Sequence, residues 1–130
     1  MNTKVLIVED EILVALELED LLTDAGHVVV GVVPDRASLN GIGEGPQIAL
    51  VDINLRDGRS GPAIADALAS GYGTKIVYVT ANPDQIGKPA PTAIGFVPKP
   101  FSQRDILAAI EFALQGNNSR RPAALRAFAN

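Results

Sequence analysis

The fold of this 130-residue chain is decided by the stretch Val5-Leu6-Ile7-Val8-Glu9-Asp10-Glu11, in which four apolar residues run directly into three acids. Four further short apolar runs, rich in Val and Ile, follow at residues 28–33, 48–51, 76–79 and 94–97. Continuous apolar runs of this length are typical of strands that are buried on both faces, as in a parallel sheet. The sequence therefore predicts five buried strands.

The segments between these runs show the spacing of amphipathic helices. Residues 11–25 carry apolar side chains every three or four positions, which predicts one helix. A second is expected to begin at Gly61-Pro62 with Ser60 as its cap. A third is expected to open at residues 102–105, where Ser and Asp form an acidic variant of the capping box, and to end at Gly116.

Two segments have weaker helical patterns. Residues 35–42 fit a short helix that nearby glycines limit, and residues 83–93 hold three prolines, which allow one helical turn and then an extended loop. The alternation of strand and helix predicts an α/β, doubly wound, five-stranded parallel sheet over residues 1–116. Residues 117–130 are predicted to form a tail, with a short helix over 122–129 or a linker.

The composition excludes several classes of protein. The chain has no cysteine, which excludes disulfides, thiolate zinc sites and cysteine nucleophiles and suits a reducing compartment. The net charge is −4 and all 15 acidic residues lie before residue 117, so we expect no nucleic-acid binding through this domain. The apolar run near the N-terminus is too short for a signal peptide or a membrane span, so we expect a cytoplasmic protein without membrane contact.

Polar side chains follow four of the five apolar runs, at the edge where an open α/β sheet binds its ligands. They are Glu9, Asp10, Asp52, Asn54, Thr80 and Lys99. Each alone is typical of a turn, but together they predict a shared site. Several carboxylates in one pocket need a cation, and oxygen ligands without His or Cys favour Mg²⁺. The single histidine, His27, precedes its strand and is expected at the opposite edge.

This set of groups suits phosphoryl transfer. An aspartate beside Mg²⁺, a hydroxyl and an amine can act as a nucleophile toward a phosphoryl group. The metal and Lys99 would offset charge on the transferring oxygens, while Thr80 would donate a hydrogen bond.

The sequence resembles a two-component response-regulator receiver domain of the CheY-like family, over about residues 3–116. Four motifs carry the resemblance in order: Val5-Leu6-Ile7-Val8-Glu9-Asp10-Glu11, Val51-Asp52-Ile53-Asn54-Leu55, Val79-Thr80-Ala81-Asn82 and Phe96-Val97-Pro98-Lys99-Pro100-Phe101. The resemblance implies a CheY-like (βα)5 fold, here with a shortened or irregular fourth helix. It also implies a signalling protein rather than an enzyme, one that catalyses only its own phosphorylation and dephosphorylation.

The resemblance implies a role for each acidic residue of the set. Asp52 is the expected phosphoacceptor. Glu9 and Asp10 are the expected acidic pair of the Mg²⁺ site, to which Asp52 and the backbone carbonyl of Asn54 also contribute.

The remaining residues are implied to bind the phosphoryl group and to respond to it. Thr80 would bond the phosphoryl group, Lys99 would pair with it, and the peptide bond before Pro100 would be cis. Phe96 holds the switch position of the family, where Tyr is commoner. Because Phe96 lacks a hydroxyl, a switch built on it must work by packing alone.

The expected phosphodonor is a histidine kinase or a histidine phosphotransfer protein, and the signal would pass to a downstream protein that the sequence does not identify. One alternative is a phosphate sink for the kinase. Another is a Mg²⁺-dependent phosphatase that forms an aspartyl phosphate, but those enzymes carry two Asp two apart on the first strand, whereas Asp52 has Asn54 at that spacing. A flavodoxin-type module would need a Gly- or Ser/Thr-rich loop in place of Glu9-Asp10-Glu11. A degenerate receiver, which binds partners without phosphate, is disfavoured because Asp10, Asp52, Thr80 and Lys99 are all present.

Overall fold

The computed structural model describes residues 3–43, 45–116 and 121–128. Five parallel strands form one sheet in the order β2-β1-β3-β4-β5: β1 (Lys4–Val8), β2 (Val28–Val33), β3 (Ile48–Val51), β4 (Lys75–Thr80) and β5 (Ala93–Pro98). The α-helices are α1 (Ile12–Asp24), α2 (Gly61–Tyr72) and α3 (Gln103–Gln115). The predicted doubly wound α/β sheet is confirmed. Within the described ranges, no helix has the length and apolar character needed to cross a membrane.

The core lies on both faces of the sheet. One face packs against α1 and α3, and the other packs against α2. Every residue of β3 is buried, as expected for a central strand with helices on both sides. The prediction of five buried strands is wrong for β2 and β5, because both are outer strands and most of their residues are exposed or half-buried.

One of the two predicted helix caps is confirmed. The Ser102 hydroxyl accepts a hydrogen bond from the Asp105 N–H at 3.1 Å, and the Asp105 carboxylate accepts one from the Ser102 N–H at 3.3 Å. The cap predicted at Ser60 does not form: the Ser60 backbone is helical rather than extended, and its hydroxyl is turned toward the Asp57 carboxylate, to which it donates. The α2 helix nevertheless begins at Gly61, as predicted.

Two crossovers of the sheet contain only short 3₁₀ helices. Residues Ala37–Gly41 form one between β2 and β3, where glycines shorten the predicted helix. Residues Pro83–Gln85 form the other between β4 and β5, followed by an irregular segment up to Ala93. The predicted irregular fourth helix is therefore confirmed, and its cause is that Pro89 and Pro91 bias the residues before them away from helical geometry.

The C-terminal residues 121–128 pack against the sheet. They contain a turn and an antiparallel bridge between Arg126 and Phe96 of β5, and the Leu125 side chain is only 1% exposed. The helix predicted over 122–129 is absent from the described residues 121–128, because backbone pairing with β5 competes with it. Residue 129 and residues 117–120 of the predicted tail lie outside the described residues, and a domain boundary at residue 116 stays a prediction.

Candidate functional site

The carboxyl ends of β1, β3, β4 and β5 surround a pocket of about 300 Å³. Parallel strands bring the residues that follow them to one edge, as the sequence predicts. The residues lining the pocket are Asp10, Glu11, Asp52, Asn54, Ala81, Asn82 and Lys99.

Lys99 connects the acidic residues of this edge. Its Nζ lies 2.8 Å from Glu9 Oε1, 3.0 Å from Asp52 Oδ2 and 3.6 Å from Glu11 Oε2. The side chain of Lys99 is 16% exposed and that of Glu9 only 2%. Charge-assisted hydrogen bonds that are shielded from solvent are stronger than surface ion pairs. Lys99 therefore fixes the positions of the Glu9 and Asp52 carboxylates.

Three carboxylates form a compact group of oxygen ligands. Glu9, Asp10 and Asp52 each offer one oxygen atom, and these atoms all lie within 4.8 Å of one another. When all three are ionised, their negative charges exceed the one positive charge of Lys99, and a divalent cation would neutralise the remaining negative charge. Hard oxygen ligands without nitrogen or sulfur fit Mg²⁺, so the residues present suit this ion.

Backbone amides orient the carboxylates. Glu9 Oε2 accepts hydrogen bonds from the N–H groups of Asp10 and Glu11, each at 3.2 Å. Asp52 Oδ1 accepts one from the N–H of Ile53 at 2.7 Å. Because Lys99 holds the other oxygen of each carboxylate, both Glu9 and Asp52 are fixed on two sides.

The pKa values of two groups in the pocket, Glu9 and Lys99, are both raised, which favours the neutral form of Glu9 and the charged form of Lys99. Burial raises the pKa of the Glu9 carboxyl above its ordinary value, although its hydrogen bond with Lys99 acts in the other direction. Burial alone would lower the pKa of Lys99, but the bonds and charges of Glu9 and Asp52 outweigh it and raise that pKa. Lys99 is therefore a permanent ammonium at neutral pH, and a cation in the pocket would favour ionised Glu9.

Thr80 lies at the end of β4 and is buried. Its hydroxyl oxygen accepts a hydrogen bond from the Asn82 N–H at 2.9 Å, and its carbonyl accepts one from the Lys99 N–H at 3.1 Å. Because the hydroxyl oxygen is the acceptor in the first bond, its hydrogen can be donated to a group that enters the pocket.

The structure thus brings Glu9, Asp10, Asp52 and Lys99 together as predicted, whereas Thr80 is buried at the end of β4 and does not line the pocket. The Lys99–Pro100 peptide bond is cis, as the resemblance implied. Two predicted residues point elsewhere. The Asn54 side-chain nitrogen donates to Gln85 Oε1 at 2.9 Å, so only its backbone is left for the predicted metal contact. Phe96 does not line the pocket and instead lies against Phe128, with ring centroids 6.3 Å apart.

Sequence reasoning missed two residues that shape the site. Glu11 reaches Lys99 although it was not assigned a role, and its place in the acidic run was the available signal. Gly61 was interpreted only as a helix start, but a Cβ there would lie 1.9 Å from the carbonyl oxygen of Asp52. Only glycine lets α2 begin against this strand end, and no local pattern in the sequence shows that contact.

The chain is similar in sequence to known proteins. The family model described as "Response regulator receiver domain" matches residues 5–111. The phyllosphere-induced regulator PhyR of Methylorubrum extorquens is 34% identical over 127 residues, which cover 93% of this chain and 47% of PhyR. The transcriptional regulatory protein PdtaR of Mycobacterium tuberculosis is 31% identical over 116 residues, covering 85% of this chain and 56% of PdtaR.

A solved structure agrees with these sequence relatives. The receiver domain of the PhyR response regulator of Erythrobacter litoralis superposes with a TM-score of 0.79 at 33% identity, covering 94% of this chain and 97% of that domain. The present chain spans about half the length of the curated relatives it matches.

Proposed function

Because this chain belongs to the response regulator receiver domain family, we propose that Asp52 accepts a phosphoryl group in a two-component signalling system. The observation that carries the proposal is the position of Asp52, whose carboxylate lies 3.0 Å from the Lys99 ammonium and within 4.8 Å of the Glu9 and Asp10 oxygens. The chain then catalyses only its own phosphorylation and dephosphorylation, and it signals by conformational change to a downstream protein.

The transfer uses a nucleophile that is already oriented. A carboxylate oxygen of Asp52 forms a bond to phosphorus while the bond from phosphorus to the donor nitrogen breaks. The Ile53 N–H and the Lys99 ammonium hold the two oxygens of Asp52, which removes much of the entropic cost of positioning. Glu9, Asp10, Asp52 and the backbone carbonyl of Asn54 would hold Mg²⁺, whose charge offsets that of the phosphoryl oxygens.

Two residues bind the product. Lys99 pairs with a phosphoryl oxygen, and the Thr80 hydroxyl donates its hydrogen to another. The Thr80 oxygen also accepts from the Asn82 N–H, so this hydroxyl links the phosphoryl group to the backbone that follows β4. The chemistry at Asp52 is thereby transmitted to the chain that follows β4.

An apolar surface beside the pocket supports a protein as phosphodonor. Ile12 and Leu13 begin α1 directly after the acidic run and are 69% and 78% exposed. Leu16 lies one turn further along the helix and is also exposed. Exposed apolar side chains that cluster next to a functional site are typical of protein-binding surfaces. We propose that a histidine kinase or histidine phosphotransfer protein contacts this surface, and the cysteine-free sequence supports a cytoplasmic reaction.

Intact mass spectrometry tests the proposed function. Incubation with Mg²⁺ and acetyl phosphate should add one phosphoryl group to the wild-type chain and none to Asp52→Asn. Asp66→Asn, which changes an exposed aspartate on α2, is the matched control and should be labelled like the wild type. Equal labelling of Asp52→Asn would overturn the proposal, and so would unchanged labelling after a chelator removes Mg²⁺.

A further inference from the structure

Another cavity lies at the edge of the sheet opposite to the acidic pocket. Its volume is about 410 Å³, and it is bordered by Lys75 and Ala93, which begin β4 and β5. Its other walls come from the end of α3, at Phe112 and Ala113, and from residues 121–128. This volume is in the range of small-molecule sites, and the chemistry of the acidic pocket does not use it.

The two ionisable groups that line this cavity are both cations, Lys75 and Arg121. No acidic side chain lines it, and neither cation forms an ion pair with a carboxylate within residues 3–43, 45–116 and 121–128. Like charges that share a cavity repel each other, and an anion that enters the cavity relieves this repulsion.

Backbone carbonyls hold the two cations at the cavity wall. Lys75 Nζ donates to the Ala113 carbonyl oxygen at 2.8 Å. Arg121 Nη1 donates to the Ile94 carbonyl oxygen at 2.6 Å. An ammonium has three donors and a guanidinium has five, so each cation keeps donors for a ligand. Because the carbonyls carry no net charge, these bonds position both cations without neutralising them.

Arg121 is positioned by two further contacts. Its guanidinium carbon lies 5.2 Å from the centroid of the Phe112 ring, which is a cation–π contact. A Cβ at Gly95 would lie 2.8 Å from Arg121 Nη1, so the glycine leaves room for the guanidinium against β5. A planar guanidinium held in this way loses little entropy when it binds a carboxylate through two parallel hydrogen bonds.

The rest of the cavity wall is largely apolar. Ile94, Phe112 and Phe128 contribute its largest apolar side chains. A bare inorganic anion gains nothing from these side chains, and a neutral apolar molecule gains nothing from the charge of the cations. A carboxylate attached to an aromatic or branched apolar body matches both parts of the wall.

We propose that this cavity binds a small organic carboxylate with an apolar body, at a site separate from the acidic pocket. The carboxylate pairs with the Arg121 guanidinium and the Lys75 ammonium, while the apolar body contacts Phe112 and Phe128. Because these walls belong to α3, β4 and the C-terminal residues, a bound ligand links the three segments and stabilises the folded chain.

Titration of the full chain with naphthoate tests this inference, because that anion carries one carboxylate on an aromatic body. The temperature of thermal unfolding should rise with its concentration, and the amide NMR signals of Lys75, Arg121 and Phe128 should shift. Naphthamide has the same body without the charge, and inorganic phosphate has charge without the body. Both should therefore bind more weakly than naphthoate, by roughly tenfold or more.

Two variants locate the site. Arg121→Gln and Lys75→Gln should each weaken naphthoate binding by roughly tenfold. Arg104→Gln, which removes an exposed arginine at the opposite end of α3, is the matched control and should bind naphthoate like the wild type. Lys75→Gln keeps a donor for the Ala113 carbonyl, so its affinity decides the matter if Arg121→Gln disturbs the C-terminal residues.

Several results would overturn the inference. Naphthamide binding as tight as that of naphthoate would show that the cations play no part, and equally tight phosphate binding would show that the apolar walls play none. Absence of naphthoate binding, or an affinity in Lys75→Gln equal to that of the wild type, would remove the site. Labelling of Asp52 does not enter any of these results, so the proposed function is tested separately.

Discussion

The acidic pocket and residues 121–128, which we call the C-terminal strap, both depend on β5, but they are built in different ways. The pocket collects side chains that directly follow strand ends, and parallel pairing brings those ends to one edge. The strap lies along the outer side of the same strand, and its position depends on one backbone bridge and on two apolar side chains. A site made of strand ends can be predicted from periodicity, whereas a docked segment without periodicity cannot.

The two regions also differ in their effect on stability. The pocket places three carboxylates close together and buries Glu9, whose pKa burial raises, so without a cation it opposes folding. The strap buries Leu125 and pairs backbone groups, so it favours folding. Removing a carboxylate from the pocket and truncating an apolar side chain of the strap should therefore change the free energy of unfolding in opposite directions.

Leu125→Ala should give the largest effect. Truncation of a buried leucine removes apolar contacts and leaves a cavity, so the free energy of unfolding should fall by about 2–5 kcal/mol. Leu114→Ala is the matched control, because Leu114 is 41% exposed, and it should cost far less. Chemical denaturation of both variants measures the difference, and equal values for the two would show that the strap is a frayed end.

Gly61→Ala should give the next largest loss in the free energy of unfolding. The new Cβ would overlap the Asp52 carbonyl, and overpacking of this kind costs about 1–3 kcal/mol or more. Gly71→Ala in the same helix meets nothing within 4 Å and should stabilise the chain by about 0.5–1 kcal/mol. Thermal unfolding of the two variants gives the comparison, and a neutral Gly61→Ala would contradict the close approach of α2 to the pocket.

Asp10→Asn tests the carboxylate group directly. Loss of one anionic ligand should weaken Mg²⁺ binding by roughly tenfold or more, and it should leave the metal-free fold intact or slightly more stable. Calorimetric titration with Mg²⁺ measures the affinity, with Asp66→Asn as the control for a lost surface charge. An unchanged affinity in Asp10→Asn would remove this residue from the proposed metal site.

The smallest effect concerns the pH dependence of the metal-free chain. Because burial raises the pKa of Glu9 above 4.5, the folded chain binds this proton more tightly than the unfolded chain. That contribution to stability is present below pH 4.5 and is lost as the pH rises through the raised pKa. The side chain that Glu9→Gln introduces cannot titrate. The free energy of unfolding of this variant, relative to that of the wild type, should therefore increase as the pH rises from 4.5 through the raised pKa of Glu9.

Denaturation at several pH values without metal checks this expectation. Added Mg²⁺ favours ionised Glu9, so the advantage of Glu9→Gln should shrink when the ion is present. A stability difference that does not vary with pH would show that Glu9 is as well solvated in the folded chain as in the unfolded one.

Most of the fold follows from local patterns, and the exceptions have identifiable causes. The five strands appear where the apolar runs predict them, because continuous burial demands such runs. The Ser102 cap forms as predicted, but the Ser60 cap does not, because the Ser60 backbone is helical and its hydroxyl is turned toward Asp57. β2 and β5 are more exposed than their composition indicates, since strand order alone decides which strands lie outside.

The sequence by itself determined the α/β class, the five strands and the acidic residues at the strand ends, because each depends on spacing within a short stretch. The tertiary structure decided the rest. It alone set the reach of Lys99 to Glu9, 90 residues away, the need for glycine at position 61 and the docking of residues 121–128 on β5. These contacts join segments that are distant in sequence, and their free energy comes from packing and pairing that no local pattern encodes.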